Sequence, residues 1–170
     1  MTMDISAVNG LVGQESARIP TRHPANIPDI RHWCEVIRED NRSYQLFERD
    51  TVKAPPALLM VWTMPALWSA EPKGATEPHE RVIRMLEDAG YGVGLTIALE
   101  QKFLRPLKIG ERLSYQVRVA GVSQGEVATA AGPGYELELH YTFRNQDGEV
   151  VSEQTCRRAQ VARLAVKKGH

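Results

Sequence analysis

The sequence predicts an α+β domain in which an antiparallel sheet folds over a buried helix. Two observations support this prediction. Residues 53–68 (KAPPALLMVWTMPALW) follow a helical start signal and leave hardly any polar face. From Tyr91 onward, apolar and polar residues alternate with a period of two, which is typical of strands. A helix that is apolar all round has to be buried, so we expect the sheet to wrap around it.

The composition is that of one domain. A chain of 170 residues forms one core and is short for two. We therefore expect a single domain over residues 1–170, with a core over about residues 8–164. Basic and acidic residues balance at 21 each, so no overall field attracts nucleic acid or an anionic membrane.

The N-terminus lacks the basic and apolar regions of a signal peptide. The longest apolar run, around residues 57–68, is interrupted by Thr63 and Pro65 and is too short to span a bilayer. We expect a cytoplasmic protein that binds neither nucleic acid nor membranes.

No sequence pattern indicates a metal or a bound cofactor. Cys34 and Cys156 lie in unrelated segments, without a CxxC pattern or a cluster with histidine, so we expect two buried thiols. The chain also lacks GxGxxG, P-loop, GxSxG and HExxH motifs.

The first half of the chain predicts three helices after a possible short strand over residues 11–19. In the first helix, Asn26 suits the N-cap and Asp29 suits the positive end of the helix dipole. Its apolar stripe consists of Ile30, Trp33, Cys34 and Ile37. The second helix starts at Pro56, and Pro65 should kink or end it. The third covers residues 78–90, and His79 at its start has no partner that the sequence identifies.

The second half predicts four long strands. They cover residues 95–104, 111–122, 135–145 and 150–164. Asp147 and Gly148 form a hairpin turn signal between the last two strands. The Gly-Pro-Gly at residues 132–134 predicts another connection.

Four stretches in this order also carry a family resemblance. They are VNGLVGQESARI (8–19), REDNRSYQ (38–45), APPALLMVWTMPALW (54–68) and LEQKFLRPLKIGERLSYQVRVAGV (99–122). Together they resemble the MaoC-like hydratase/dehydratase family, which has the hot-dog fold, and in particular its N-terminal-half type of domain. The likeness covers most of the chain, from about residue 8 to about residue 164.

The resemblance implies a fold and a reaction. The sheet would wrap a central helix at residues 56–68, and two hot-dog units would pair side by side. Active members add water to trans-2-enoyl-CoA thioesters or remove it from 3-hydroxyacyl thioesters, with the CoA thioester as substrate and no further cofactor. An Asp and a His in a Gly-Asp-x-Asn-Pro-aliphatic-His stretch handle the catalytic water and the proton. Backbone donors at the start of the central helix polarise the thioester carbonyl.

REDNRSYQ lies where this acid/base motif is expected. Matching Asn41 to the family's Asn places Glu39 at the Asp position and Tyr44 at the His position. A shift by one residue matches Asp40 instead and places Gln45 at the His position. Because tyrosine titrates near pH ~10, it replaces a near-neutral imidazole poorly. The resemblance therefore implies that the catalytic pair is substituted at Glu39 and Tyr44.

The same resemblance implies where an acyl-CoA would bind. Its positions are Asn41, the Ala54–Pro55–Pro56 start of the central helix, and Leu58 and Trp62 on that helix. Lys102 and Arg105 flank the strand end before Pro106 and are candidates for a CoA phosphate. Arg157 and Arg158 on the last strand are rival candidates.

Three functions remain open from the sequence. In the first, the chain is the non-catalytic subunit of a heteromeric enoyl-CoA hydratase, inactive alone, similar to the MaoC-like subunit of two-chain steroid enoyl-CoA hydratases. It would supply the pocket for a bulky acyl group, while a partner hot-dog chain supplies the Asp and His. In the second, it is an active homodimeric hydratase, or an acyl-CoA thioesterase, that uses Glu39. In the third, it is a non-enzymatic module that binds an acyl thioester or a partner protein.

Overall fold

The computed structural model describes residues 5–45, 53–64 and 75–162. The predicted kink at Pro65 and the end of the central helix at Trp68 lie outside these ranges. The helices are α1 (Ile5–Asn9), α2 (Ile27–Ile37), α3 (Arg42–Gln45), α4 (Leu59–Thr63) and α5 (Pro78–Asp88), with a 3-10 helix at Pro56–Leu58 directly before α4. The strands are β1 (Ile19–Pro20), β2 (Lys53–Ala54), β3 (Val93–Phe103), β4 (Leu107–Lys108), β5 (Ser114–Val122), β6 (Val127–Thr129), β7 (Gly132–Arg144) and β8 (Val150–Val161).

A six-stranded antiparallel sheet organises the described part of the chain. Its strands run in the order β1-β5-β7-β8-β3, and β6 pairs with β7. The short strands β2 and β4 pair separately. β3 lies at the end of the large sheet and pairs there with β8, from Val93 to Phe103. The α+β class and the four long strands predicted from the sequence are confirmed.

The connections between strands confirm one turn prediction and correct another. Gly148 has φ +82° and its N–H donates to the Asn145 carbonyl at 3.1 Å, as the Asp147-Gly148 signal predicted. The Gly-Pro-Gly at 132–134 is not a connection but the start of β7, paired with β6, a strand that the sequence did not reveal. A Cβ on Gly134 would collide with the Gln160 carbonyl oxygen, so glycine there serves close strand approach.

The first predicted helix has the expected start and a shorter buried face. The Asn26 side chain accepts a hydrogen bond from the Asp29 N–H at 2.9 Å, so Asn26 is the N-cap. Ile30 and Cys34 are buried, but Ile37, predicted on the same stripe, is exposed. The helix ends at Ile37 and Arg38 takes the left-handed conformation with φ +56°, so the last stripe position lies beyond the core.

Two apolar clusters pack on the same face of the sheet, which we call the inner face. The α4 cluster consists of Ala25, Ile30, Cys34, Ala54, Leu58, Leu59, Trp62, Leu107, Leu113, Phe143 and Val151. The α5 cluster consists of Val8, Leu11, Val82, Leu86, Val117, Val119, Tyr135, Leu137 and Leu139. The 3-10 helix and α4 thus cover one part of the sheet, and α5 covers another.

This arrangement corrects the prediction of a central helix buried on every side. Leu58, Leu59 and Trp62 are buried, but Val61 and Met64 are exposed. The described part of that helix therefore has one buried face, and α5 shares the covering of the sheet with it. Among the described helices, none has the length and apolarity needed to cross a membrane.

A largely buried ion-pair network fixes the turn around β4. The Arg105 guanidinium donates to both carboxylate oxygens of Glu111, at 2.6 and 3.1 Å, and pairs with Glu149 at 2.9 Å. The Lys108 N–H and the Asn145 side chain also donate to Glu111. Burial alone would raise the pKa of Glu111, but these hydrogen bonds outweigh burial and hold its pKa below the ordinary value.

We expect Glu111→Gln to lower the free energy of unfolding by about 2–3 kcal/mol at neutral pH, because it removes one partner of a largely buried pair. The folded-state pKa of Glu111 is depressed, so its contribution is complete above the unfolded pKa of about 4.3. The contribution is lost as the pH falls through the lower folded-state value. Urea unfolding of both proteins across this acid range should show the difference shrinking as pH falls.

The matched control is Asp88→Asn, which removes an exposed partner of Arg84. Exposed pairs contribute little, so this variant should unfold almost as the unmodified chain does. An equal loss in both variants would contradict the role given to the network around Arg105.

Candidate functional site

The stretch from Arg38 to Gln45, predicted to hold the acid/base pair, forms a capped turn between α2 and α3. The Glu39 carboxylate accepts a hydrogen bond from the Asn41 N–H at 3.0 Å. The Asn41 side chain accepts one from the Ser43 N–H at 3.0 Å and so caps α3. The structure thus brings Glu39, Asn41 and Tyr44 onto one turn, where the first two shape the backbone.

Tyr44 uses its ring for packing. It meets the Trp33 ring edge to face, with centroids 6.4 Å apart and planes at 79°. Both residues pack against the α4 cluster. The sequence contains no histidine between His32 and His79, so this segment offers no imidazole in any register.

The start of the central helix has few backbone donors. Ala54 and Pro55 are buried, and Pro56 begins the 3-10 helix. Both prolines lack an N–H, and the Leu58 N–H donates to the Pro55 carbonyl at 3.0 Å. The Ala57 N–H is therefore the first backbone donor at this helix start that can face a ligand.

Trp62 is held by a contact that the sequence did not predict. Its indole N–H donates to the Asp29 carboxylate at 2.8 Å, and the Asn26 side chain donates to the same oxygen at 2.7 Å. This contact ties α4 to the first turn of α2. The sequence predicts for Asp29 only an interaction with the helix dipole, because spacing along the chain cannot reveal a partner 33 residues away.

The structure places Lys102 on the face of the sheet opposite to α4. Lys102 lies on the outer face of the sheet and lines a groove of about 400 Å³ together with Glu100, Arg118, His140 and Glu153. The Arg105 guanidinium is held by Glu111 and Glu149, so a phosphate there would compete with two carboxylates. A role for either residue in CoA binding stays a prediction.

The rival arginines and the two cysteines occupy different surroundings. Arg157 is exposed, whereas Arg158 is half-buried on the inner face. Cys34 and Cys156 are free and buried, as predicted, and burial raises the pKa of both thiols. In the described ranges, no three His, Cys, Asp or Glu side chains are grouped as metal ligands would be.

Comparison with known proteins assigns the family. Residues 11–154 match the family of the FAS1-like dehydratase domain region. The chain belongs to this family. The domain is 33% identical over 141 residues to a probable enoyl-CoA hydratase alpha subunit of Thermomonospora curvata, covering 79% of this chain and 44% of that protein.

A second relative is the 3-oxo-4,17-pregnadiene-20-carboxyl-CoA hydratase alpha subunit of Mycobacterium tuberculosis. It is 31% identical over 157 residues, which cover 86% of this chain and 50% of that protein. This FAS1-like dehydratase domain therefore spans about half the length of the curated relatives that it matches.

Solved structures confirm the hot-dog fold. A chain of the ChsH1-ChsH2 complex from Mycobacterium tuberculosis superposes with a TM-score of 0.80 at 29% identity, covering 94% of this domain and 96% of that chain. The R-hydratase PhaJ1 of Pseudomonas aeruginosa superposes with a TM-score of 0.53 at 14% identity, covering 94% and 88%. The second likeness concerns the fold alone.

Two variants of Tyr44 separate packing from catalysis. Tyr44→Ala should lower the free energy of unfolding by about 2–3 kcal/mol, because it removes a half-buried ring from the Trp33 contact. Tyr44→Phe keeps the ring and should leave both stability and any hydration of an enoyl-CoA unchanged. Denaturant unfolding and a hydration assay check both, and loss of turnover in Tyr44→Phe would show that the hydroxyl acts as an acid.

Proposed function

We propose that this domain is the non-catalytic, acyl-CoA-binding subunit of a heteromeric enoyl-CoA hydratase that acts on bulky acyl groups, such as steroid side chains, in the cytoplasm. A partner hot-dog chain supplies the catalytic Asp and His. The observation that carries the proposal is the substituted pair at Glu39 and Tyr44, in a domain that resembles hydratase alpha subunits.

The chemistry explains why the substitution matters. Hydration of an enoyl thioester requires one group to take a proton from water and another to protonate the α-carbon. Glu39 shapes the turn before α3, and the Tyr44 ring packs on Trp33. If Glu39 and Tyr44 do not act as base and acid, a hydratase needs both groups from a second chain.

The central helix supports a role in binding. The Ala57 N–H lies at the positive end of this helix, where a donor stabilises a developing oxyanion. Leu58 and Trp62 of this segment are buried, while Val61 and Met64 are exposed. Apolar side chains exposed beside a thioester-binding helix suit an acyl chain or the partner that encloses it.

The edge strand β3 supports a partner chain. Its inner neighbour is β8, and it lies at the end of the sheet. Large apolar side chains are exposed along β3 and just after it: Leu95, Ile97, Leu99, Phe103 and Leu104. An apolar sheet edge promotes pairing with another chain, and a second hot-dog unit beside β3 would cover it and continue the ladder.

We expect Leu99→Lys to prevent assembly with the partner. Leu99 is 53% exposed on β3, and a lysine there would bury a charge in the contact. The matched control is Val36→Lys on α2, an element outside β3, where the side chain is 82% exposed. Co-purification with the partner and light scattering report assembly, and equal behaviour of both variants would refute an interface along β3.

We expect the purified chain to hydrate neither crotonyl-CoA nor a longer enoyl-CoA. Co-expression with a hot-dog protein that carries an intact Asp/His motif should restore turnover. Glu39→Gln in that complex should keep its rate within about twofold, because Glu39 has no acid/base role there. Absorbance of the enoyl thioester follows the reaction.

Two outcomes contradict the proposal. Turnover by the chain alone that falls by about 10²-fold or more in Glu39→Gln would identify a homodimeric hydratase with Glu39 as the base. Failure of any acyl-CoA to bind, either to the chain alone or to the complex, would exclude both hydratase functions.

A further inference from the structure

The outer face of the sheet, opposite to α4 and α5, carries a line of polar side chains that crosses four strands. Arg118 of β5 pairs with His140 of β7, and His140 pairs with Thr155 of β8. Thr155 pairs in turn with Glu100 of β3, and a bridge from Glu15 to Arg118 extends the line at its other end. Because paired positions share a face, these side chains stand in one row, which we call the first row.

A second row lies two residues further along each of the four strands. Gln116 pairs with Thr142, Thr142 pairs with Glu153, and Glu153 pairs with Lys102. Two residues along a strand span about 7 Å, so the two rows run side by side at that spacing. Members of both rows line the groove of about 400 Å³ on this face.

The charges at the β3 end of the two rows have no partner within the described part of the chain. At the other end, the Arg118 guanidinium donates to Nδ1 of His140 at 3.1 Å. Glu100, Lys102 and Glu153 are exposed, and none of them belongs to an ion pair among the described residues. Lys102 and Glu153 face each other across the ladder without forming one.

The two rows are complementary to each other, strand by strand. On β3 the first row has Glu100 and the second row has Lys102; on β8 the first row has Thr155 and the second has Glu153. A two-fold axis parallel to the rows and midway between them would turn the first row of one copy onto the second row of another. Glu100 would then face Lys102 of the second copy, and Thr155 would face Glu153, each contact occurring twice.

The same symmetry also matches the next positions along the strands. One step beyond the two rows, β7 carries Glu138 on one side and Arg144 on the other, so these two charges would also face each other. Packed sheets lie about 10 Å apart, and a glutamate and a lysine that point toward each other reach across that gap. A contact that depends on exposed charges is weakened by salt.

We propose that the outer face binds the outer face of a second copy of this chain, through reciprocal Glu100–Lys102 pairs about a two-fold axis. Complementarity between two rows of one face is required only where that face meets itself, which favours a second copy over an unrelated partner. The contact is distinct from the edge of β3, so a hot-dog partner could occupy that edge at the same time. The inference therefore does not depend on the proposed function.

The first test is sedimentation equilibrium of the full chain and of Leu99→Lys, which should block association along the β3 edge. We expect both proteins to form dimers. Raising the ionic strength from about 0.05 M to about 0.5 M should weaken each dimer by about tenfold, because salt screens the charge pairs.

Reciprocal variants in the Leu99→Lys background identify the pairs. Lys102→Glu and Glu100→Lys each place two like-charge contacts in the dimer and should weaken it by about tenfold or more. Glu100→Lys combined with Lys102→Glu exchanges the charges and should restore the affinity to within about threefold. The matched control, Lys108→Glu, makes the same charge change at an exposed position on β4, outside the six-stranded sheet, and should leave the dimer unchanged.

Three outcomes overturn the proposal. A chain that stays monomeric at low salt has an outer face that is only solvated. A dimer that disappears in Leu99→Lys associates along the β3 edge instead. Single variants that weaken the dimer without recovery in the charge exchange exclude the reciprocal pairs. Circular dichroism checks that each variant folds, and the salt response of the unmodified chain tests the proposal independently of the variants.

Discussion

The pairing of β7 with β8 is the constraint on which the rest of the structure depends. It places Leu137 and Leu139 under α5 and, across the ladder, sets Arg158 and Cys156 on the same face. A slip by one residue would move every side chain of β8 to the opposite face of the sheet. Gly134 and Gly94 fit this register. The missing side chain of Gly134 leaves room for the backbone carbonyl of Gln160, and that of Gly94 leaves room for the Gln160 side chain.

Local signals in the sequence were sufficient for the regular elements. Alternation predicted the four long strands, and the N-cap signal at Asn26 predicted the start of α2. The strand β6 was missed because a run of three residues carries too little alternation to detect. The prediction of a connection at Gly-Pro-Gly is wrong because glycine serves close strand approach as well as turns.

The candidate site was less predictable, for a different physical reason. A resemblance to a family indicated where Glu39 and Tyr44 lie, but only the fold shows that the Tyr44 ring packs on Trp33. The Asp29 contact to Trp62 and the ion pairs of Arg105 join residues whose partners the sequence does not specify. On β8, polar residues occur on both faces, so alternation alone could not distinguish the inner face from the outer one.

The exposed apolar edge of β3 also affects how much of this chain a cell can make relative to a partner. If a partner covers this edge, mass action makes the stability of the folded chain depend on the partner's concentration. A chain made in excess would keep an uncovered sheet edge, which favours aggregation and proteolysis. Balanced synthesis of the two chains would then be a physical requirement of the fold, set by one strand.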